Sequence, residues 1–301
     1  MLWFWLVIVS QFANAGAQLL DKVLLTKSFP RPAVLTFWTA VANLLGVVFV
    51  FWDFILFPGW YLLIVAILSG VAFTVALQFL YMGLKRGEAS HIAPLVGAMV
   101  PVVSFIISYY WLAERLTFNQ GVAVGLLVAG SLLISFETSR KNSGIHIGML
   151  YAVIAGSLFA LSYVMSRVVY LESTFSTGFA WARLGSFLAA LPLLFNKQVR
   201  NLIFAKTEKQ KNKNHKAYLL LSVNKGLAAL YFLGMNYAMS LASATIVNAL
   251  AGLQYAVLFV LVYFFSKKIP KFFNEYFTKQ EIFQQVSAIV IIVVGLVFIV
   301  L

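Results

Sequence analysis

The feature that most limits what this chain can become is a recurring one: along nearly its whole length, runs of about twenty mostly apolar residues follow one another with short polar breaks between them. Ten such runs can be read, at 2–25, 33–52, 60–84, 89–112, 118–136, 147–169, 174–195, 217–239, 243–265 and 281–301. A hydrocarbon core about 30 Å thick is crossed by about 20 helical residues rising about 1.5 Å each. Lipid offers no partner to a backbone N–H or C=O, so a spanning segment is either a helix or a strand of a closed barrel. Barrel strands alternate polar and apolar residues, and these runs do not. The expectation is an all-α integral membrane protein of ten transmembrane helices. Composition agrees: 62% of the residues are hydrophobic and 10% charged, against about half and about a quarter in a soluble domain. With no cysteine, disulfides and thiolate metal sites are excluded. The net charge of +13 lies mainly in loops between the apolar runs, where orientation signals belong, so nucleic acid is not the expected partner. The opening run lacks a basic start and continues too far for a cleaved signal, so it reads as a retained helix.

Most connections are short, which makes neighbouring helices antiparallel. Two are longer. Residues 196–216 read as a mobile Lys-rich loop, and 266–280 mix Lys with Phe and Tyr in a way that fits either a segment lying on an anionic membrane surface or an ordinary solvated loop. The stretch from Glu137 to His146 divides the chain into a first five-helix unit (1–136), a linker (137–146) and a second five-helix unit (147–301). Setting Phe79 against Phe232 aligns the two halves with six identities over 23 positions, at the junction of the third and fourth helix of each. An odd number of helices per half would set the halves in opposite orientations, the inverted repeat of alternating-access transporters.

On these residues the chain resembles the drug/metabolite transporter superfamily, specifically its EamA-type ten-helix members. The best match is Leu80 to Thr117, with Ala89 and Ser90 at a short junction, Pro94 and Pro101 in the fourth helix, and Glu114 before Leu116 and Thr117. Lys22 and Arg167 end the first helix of each half, and Arg183 matches an arginine common in the second helix of the family's repeats. The second half departs from the pattern, with Val247 and Gln254 aligned to the prolines and Lys267 aligned to Glu114. The resemblance implies a cavity formed mainly by helices 1, 3, 4, 6, 8 and 9.

Within that frame, charged and polar residues inside apolar runs are the functional candidates, because burying them in lipid is costly. Arg183 and Lys225 are two such cations. They read as counter-ions for an anionic or zwitterionic solute, as structural groups, with Arg183 on helix-end carbonyls and Lys225 on Asp21 or at a rim, or, for Lys225, as an amine that burial keeps neutral. Gln11, Asn14 and Gln18, followed by Asp21, recur at spacings of 3, 4 and 3 on one face of the first helix. Such a stripe lines a cavity or packs against other helices. Gln78, Tyr81, Tyr163, Asn236, Asn248 and Gln254 complete the substrate-binding candidates. Pro94 and Pro101 are gating candidates, since each removes a backbone donor and can kink its helix. Gly121, Gly125 and Gly130 predict close helix packing, within the fold or between subunits.

No carboxylate falls near the middle of a run, which favours exchange or facilitated diffusion over proton coupling. The three histidines are scattered, and no nucleophile, phosphate loop or metal-ligand spacing appears, so neither an enzyme, a metal nor a cofactor is expected. The reading is a secondary transporter for a small organic metabolite in the cytoplasmic membrane, monomeric or homodimeric. Its alternatives are a flippase for lipid-linked intermediates and a non-transporting scaffold or partner subunit. Eighteen loop cations fall on one side and two, Arg115 and Arg167, on the side of the termini. The positive-inside rule then puts both termini outside the cytoplasm, opposite to the arrangement the resemblance implies.

Overall fold

The structure, a computed structural model, describes residues 2–25, 31–45, 47–48, 55–87, 89–135, 147–204, 211–268 and 279–300. The linker 137–146, residues 205–210 and residues 269–278 lie outside them, as do the side chains of Ala89, Ser90, Lys267 and residues 211–217. Among the described residues there is no strand. The helices are α1 (Leu2–Val23), α2 (Pro32–Leu45), α3 (Trp60–Arg86), α4 (Ala89–Trp111), α5 (Phe118–Ser135), α6 (Ile147–Glu172), α7 (Phe175–Ala190), α8 (Lys197–Phe204), α9 (Lys211–Leu241), α10 (Ala244–Ala249), α11 (Ala251–Lys268) and α12 (Lys279–Val300). Among the described residues, eight segments are long and apolar enough to cross a membrane, and two further apolar helices, Pro32–Leu44 and Ile282–Phe298, are shorter. The protein is an all-α, multi-pass membrane protein.

Its helices carry their polar residues inward and their apolar residues outward, as lipid requires. On α1, Leu2, Trp5, Val9 and Phe12 are exposed, while Ser10, Gln11, Asn14, Gln18 and Asp21 are buried. Both sets follow the spacing of one helical face. α1 packs on α9 and α11, α3 on α6 and α7, α4 on α5 and α6, and α5 on α12. Hydroxyls join several crossings: the Thr74 hydroxyl donates to the Ser186 carbonyl at 2.8 Å, and Ser69 and Ser166 share a bond of 2.9 Å. At the α3–α7 crossing the backbones touch. A Cβ on Gly70 would lie 1.9 Å from the Ala182 carbonyl oxygen, and one on Gly185 would lie 2.3 Å from that of Ile67. Only glycine allows this approach, and it brings the middle of α7 against the aromatic face of α3.

The fourth helix runs through both Pro94 and Pro101, the positions read as able to kink it. The structure departs from the sequence reading in two elements. The ninth run is not one helix: α10 ends at Ala249 and α11 begins at Ala251, around Leu250. The stretch 196–216, read as a loop, contains the amphipathic α8, which buries Val199 and Ile203. Asn196 starts α8 by accepting from the backbone N–H of Gln198 and of Val199, the usual capping role of Asn.

Of the glycines read as a packing step, Gly130 packs on Ile292 and the Ala288 carbonyl of α12, but Gly121 and Gly125 have open space at Cα. They border a shallow apolar groove between α4 and α5, lined also by Phe105, Ile106 and Val128.

Candidate functional site

At the centre of the fold, α1, α2, α3, α4, α6, α9, α10 and α11 surround a cavity of about 90 Å³. Its wall has a polar and an aromatic part. The polar part holds Asn14, Gln18, Asp21, Thr39, Asn43, Lys225, Asn248 and Gln254, and the aromatic part Phe73, Tyr81, Phe159, Tyr163, Tyr231, Phe232 and Tyr255. Asp21 and Lys225 are the only charged residues among those lining it.

These two charges sit opposite one another. Lys225 Nζ lies 3.7 Å from Asp21 Oδ1, and each side chain is 11% exposed. The ammonium donates to Thr39 Oγ1 at 2.7 Å, and Thr39 shares a bond of 3.1 Å with the Tyr81 hydroxyl. At 3.7 Å the ion pair is longer than a charge-assisted hydrogen bond, so attraction holds the groups together without locking them. Removing one partner of such a shielded pair strands the other charge, at about 3–5 kcal/mol. Near it, Asn14 Nδ2 donates to Gln254 Oε1 at 2.6 Å, which ties α1 to α11, and Asn248 Nδ2 donates to Ser104 Oγ at 3.2 Å, which ties α10 to α4.

The aromatic part is a packed set of rings. Phe73 meets Phe159 and Phe232 edge-on, with centroids 5.3 and 4.7 Å apart, and Phe159 stacks on Tyr163 at 6.0 Å. The Tyr255 ring lies on the backbone of α4, and a Cβ on Gly97 would fall 1.8 Å from it. Gly97 therefore gives α11 its place at the cavity.

Seven of the sequence candidates line this cavity: Asn14, Gln18, Tyr81, Tyr163, Lys225, Asn248 and Gln254. Four do not. Gln11, a turn further along the stripe, donates to the Met235 sulfur at 3.4 Å. Gln78 accepts from the Thr36 hydroxyl at 2.8 Å. Asn236 accepts from the Tyr170 hydroxyl and donates to the Phe232 carbonyl, both at 2.8 Å.

The fourth, Arg183, is 1% exposed. Its guanidinium carbon lies 4.0 Å from the Phe232 ring centre, 5.0 Å from that of Phe179 and 5.3 Å from that of Phe73. Each such contact stabilises a desolvated cation by up to about 2 kcal/mol. Nε and Nη1 nevertheless have no hydrogen-bond partner. The carbonyl contacts expected of Arg183 are instead made by the other cations that end helices. Lys22 donates to the Leu84 and Gly87 carbonyls at 2.8 and 2.5 Å, and Arg167 donates to the Met239 carbonyl.

Asp21 came out of the sequence as a partner for Lys225, but Thr39, Asn43, Tyr231 and Tyr255 were not singled out. A polar residue about two to three turns into an apolar run was the available signal for Thr39 and Asn43. Nothing local marks Tyr231 or Tyr255. Pro94 lies outside the residues lining the cavity, as does Pro101, although Val96, Gly97 and Val100 between them are part of its wall.

The chain is a polytopic helical membrane protein with a buried, mixed polar and aromatic cavity between its helices. Residues 1–136 match the EamA-like transporter family. That match covers less than half of the chain, and the family is one of transporters within the drug/metabolite transporter superfamily. A solved crystal structure of a protein aligns over 96% of this chain and 95% of its own, with a TM-score of 0.62 and 15% identity, and so shares the fold. An uncharacterised protein of Methanocaldococcus jannaschii is 32% identical over 72 residues, which are 24% of this chain and 52% of that one. The chain thus spans about half the length of the curated relative it matches.

Proposed function

We propose that this protein is a secondary transporter that moves a small zwitterionic solute of amino-acid type across the cytoplasmic membrane by alternating access. One observation carries this reading: a single acid and a single base, Asp21 and Lys225, share the wall of one buried cavity 3.7 Å apart. A zwitterion entering between them gives its ammonium to Asp21 and its carboxylate to Lys225, and each protein charge keeps a partner throughout. The solute's apolar portion meets Phe73, Phe159 and Phe232. With its charges matched inside the cavity, the solute itself completes the site, which suits exchange of one solute for another. The volume of about 90 Å³ is below the 300–1,000 Å³ of a typical ligand pocket, and fits an occluded conformation that widens when either face opens.

The ten-span, two-repeat arrangement belongs to the same proposal, with 1–136 and 147–301 as its halves and Pro94 and Pro101 as gating positions. The packing pairs support it. α1 packs on α9 while α3 packs on α6, and α1 packs on α11 while α4 packs on α6, so the first and third or fourth helices exchange between halves. Lys22 and Arg167, at matching places, each donate to carbonyls ending the third helix of their own half.

The test is exchange in proteoliposomes. Preloaded with unlabelled amino acids, vesicles carrying the wild type accumulate a labelled one. Asp21→Asn and Lys225→Gln each abolish uptake and lower stability, while the double substitution recovers most of the stability and stays inactive. Wild-type exchange by the double variant would reduce the pair to a structural one and refute the proposal.

A further inference from the structure

Arg183 is a fully buried cation that the proposed cycle does not use. An arginine kept only to join helices finds carbonyls, as Arg167 does with Met239. Arg183 has instead two nitrogens, Nε and Nη1, without a partner, and it sits in the middle of α7 rather than at an end. A guanidinium offers a planar fork of donors shaped for a carboxylate or phosphate, and the donors left open here are part of that fork. What separates them from the cavity is thin. Of the three rings around the guanidinium, Phe73 and Phe232 are also cavity wall. Phe232 is the nearer of the two, with its ring centre 4.0 Å from the guanidinium carbon.

We infer that Arg183 is a second anion-binding group, screened by Phe232 and Phe73 in this conformation and reached by a carboxylate on the solute's side chain, so that the transporter favours acidic amino acids over their neutral counterparts. The inference rests on the reading of the cavity as an amino-acid site. On α9, Phe232 follows Lys225 by seven residues, about 10 Å along the axis at about 1.5 Å per residue. The solute's head group and its side-chain acid therefore meet two different cations. While the rings screen it, the cation–π contacts keep the guanidinium from standing exposed in an unfilled cavity.

Glutamate and glutamine test this directly, because they match in shape and differ in side-chain charge. In proteoliposome exchange the wild type takes up glutamate at least about tenfold better than glutamine, the effect of about 1.4 kcal/mol. Phe232→Leu, which thins the screen, raises the glutamate-to-glutamine ratio further, a gain that a purely structural arginine does not produce. Arg183→Gln brings the ratio to about one, and Arg183→Lys leaves it in between. A ratio near one in both the wild type and Phe232→Leu overturns the inference and leaves the amino-acid reading standing, as does a ratio that Arg183→Gln does not change. If the wild type exchanges neither solute nor any neutral amino acid, the reading of the cavity falls and this inference with it.

Discussion

At the scale of single residues, position along a helix decides what a polar group does. Gln11, Asn14, Gln18 and Asp21 share one face of α1, yet Asn14, Gln18 and Asp21 reach the cavity while Gln11 meets Met235. Helical period announces the face; only the neighbour on α9 tells where the cavity begins. Ala113 is a sharper case. Its φ of 52° is the one positive value among the described non-glycine residues. This turn ends α4, with the Leu112 and Glu114 N–H groups both donating to the Ser108 carbonyl, and it aims Glu114 at the Ser243 hydroxyl that caps α10. A left-handed conformation costs an L-residue about 1–2 kcal/mol. Ala113→Gly is expected to hold or raise the melting temperature of the purified protein, and Ala113→Val to lower stability by about 1–2 kcal/mol. Equal melting temperatures for the two variants would show that the turn is not strained.

At the scale of elements, two kinds of glycine behave differently. Gly70 and Gly185 bring α3 and α7 into backbone contact and so set Phe73 beside Arg183. Gly70→Ala forces the helices apart and is expected to cost about 1–3 kcal/mol or more, read as a lower melting temperature together with lost exchange. Gly121→Ala and Gly125→Ala add a methyl to open space and are expected to stay within about 0.5 kcal/mol of the wild type. A large loss at Gly121 would place a partner on that face. The same comparison explains what was legible. A GxxxG step can be read from sequence, but which glycines meet another helix depends on where the fold puts α12 and α7. The break at Leu250 was hidden for a similar reason. Leu250 follows Asn248 and Ala249 in an apolar run without proline or any other strong local stop, whereas the helix with two prolines is continuous. Neighbouring helices can accommodate the lost proline bonds, and tertiary packing outweighs local preference.

For the whole molecule, access to the cavity is the central issue, and the absence of cysteine makes it measurable without a prepared background. Asn43→Cys and Ala228→Cys put a thiol on the cavity wall. Alternating access predicts that a membrane-impermeant maleimide labels both from either face in exchange conditions, with solute slowing the reaction. Labelling from one face only, under all conditions, would contradict it. The loop charges carry a second expectation, that the ends of the chain lie outside the cytoplasm. A cytoplasm-active reporter fused after Leu301 should be weak, and a strong signal would reverse the orientation. Exposed Trp5, Trp60 and Trp111 fit an aromatic belt at the face on which α1 begins.

The sequence by itself determined the class of molecule. Run length, low charge and the need to satisfy every backbone group in lipid leave little besides a helical membrane protein. It also marked Lys225 and the α1 stripe, because a polar group in an apolar run carries its cost wherever it lies. Only the tertiary structure decided what those groups face. Asp21 and Lys225 lie 204 positions apart in the chain and meet because α1 packs on α9. Arg183 is caged rather than carbonyl-bound because two glycines let α7 press onto α3. Contacts between distant helices depend on shape as well as polarity, and shape is settled when the helices pack.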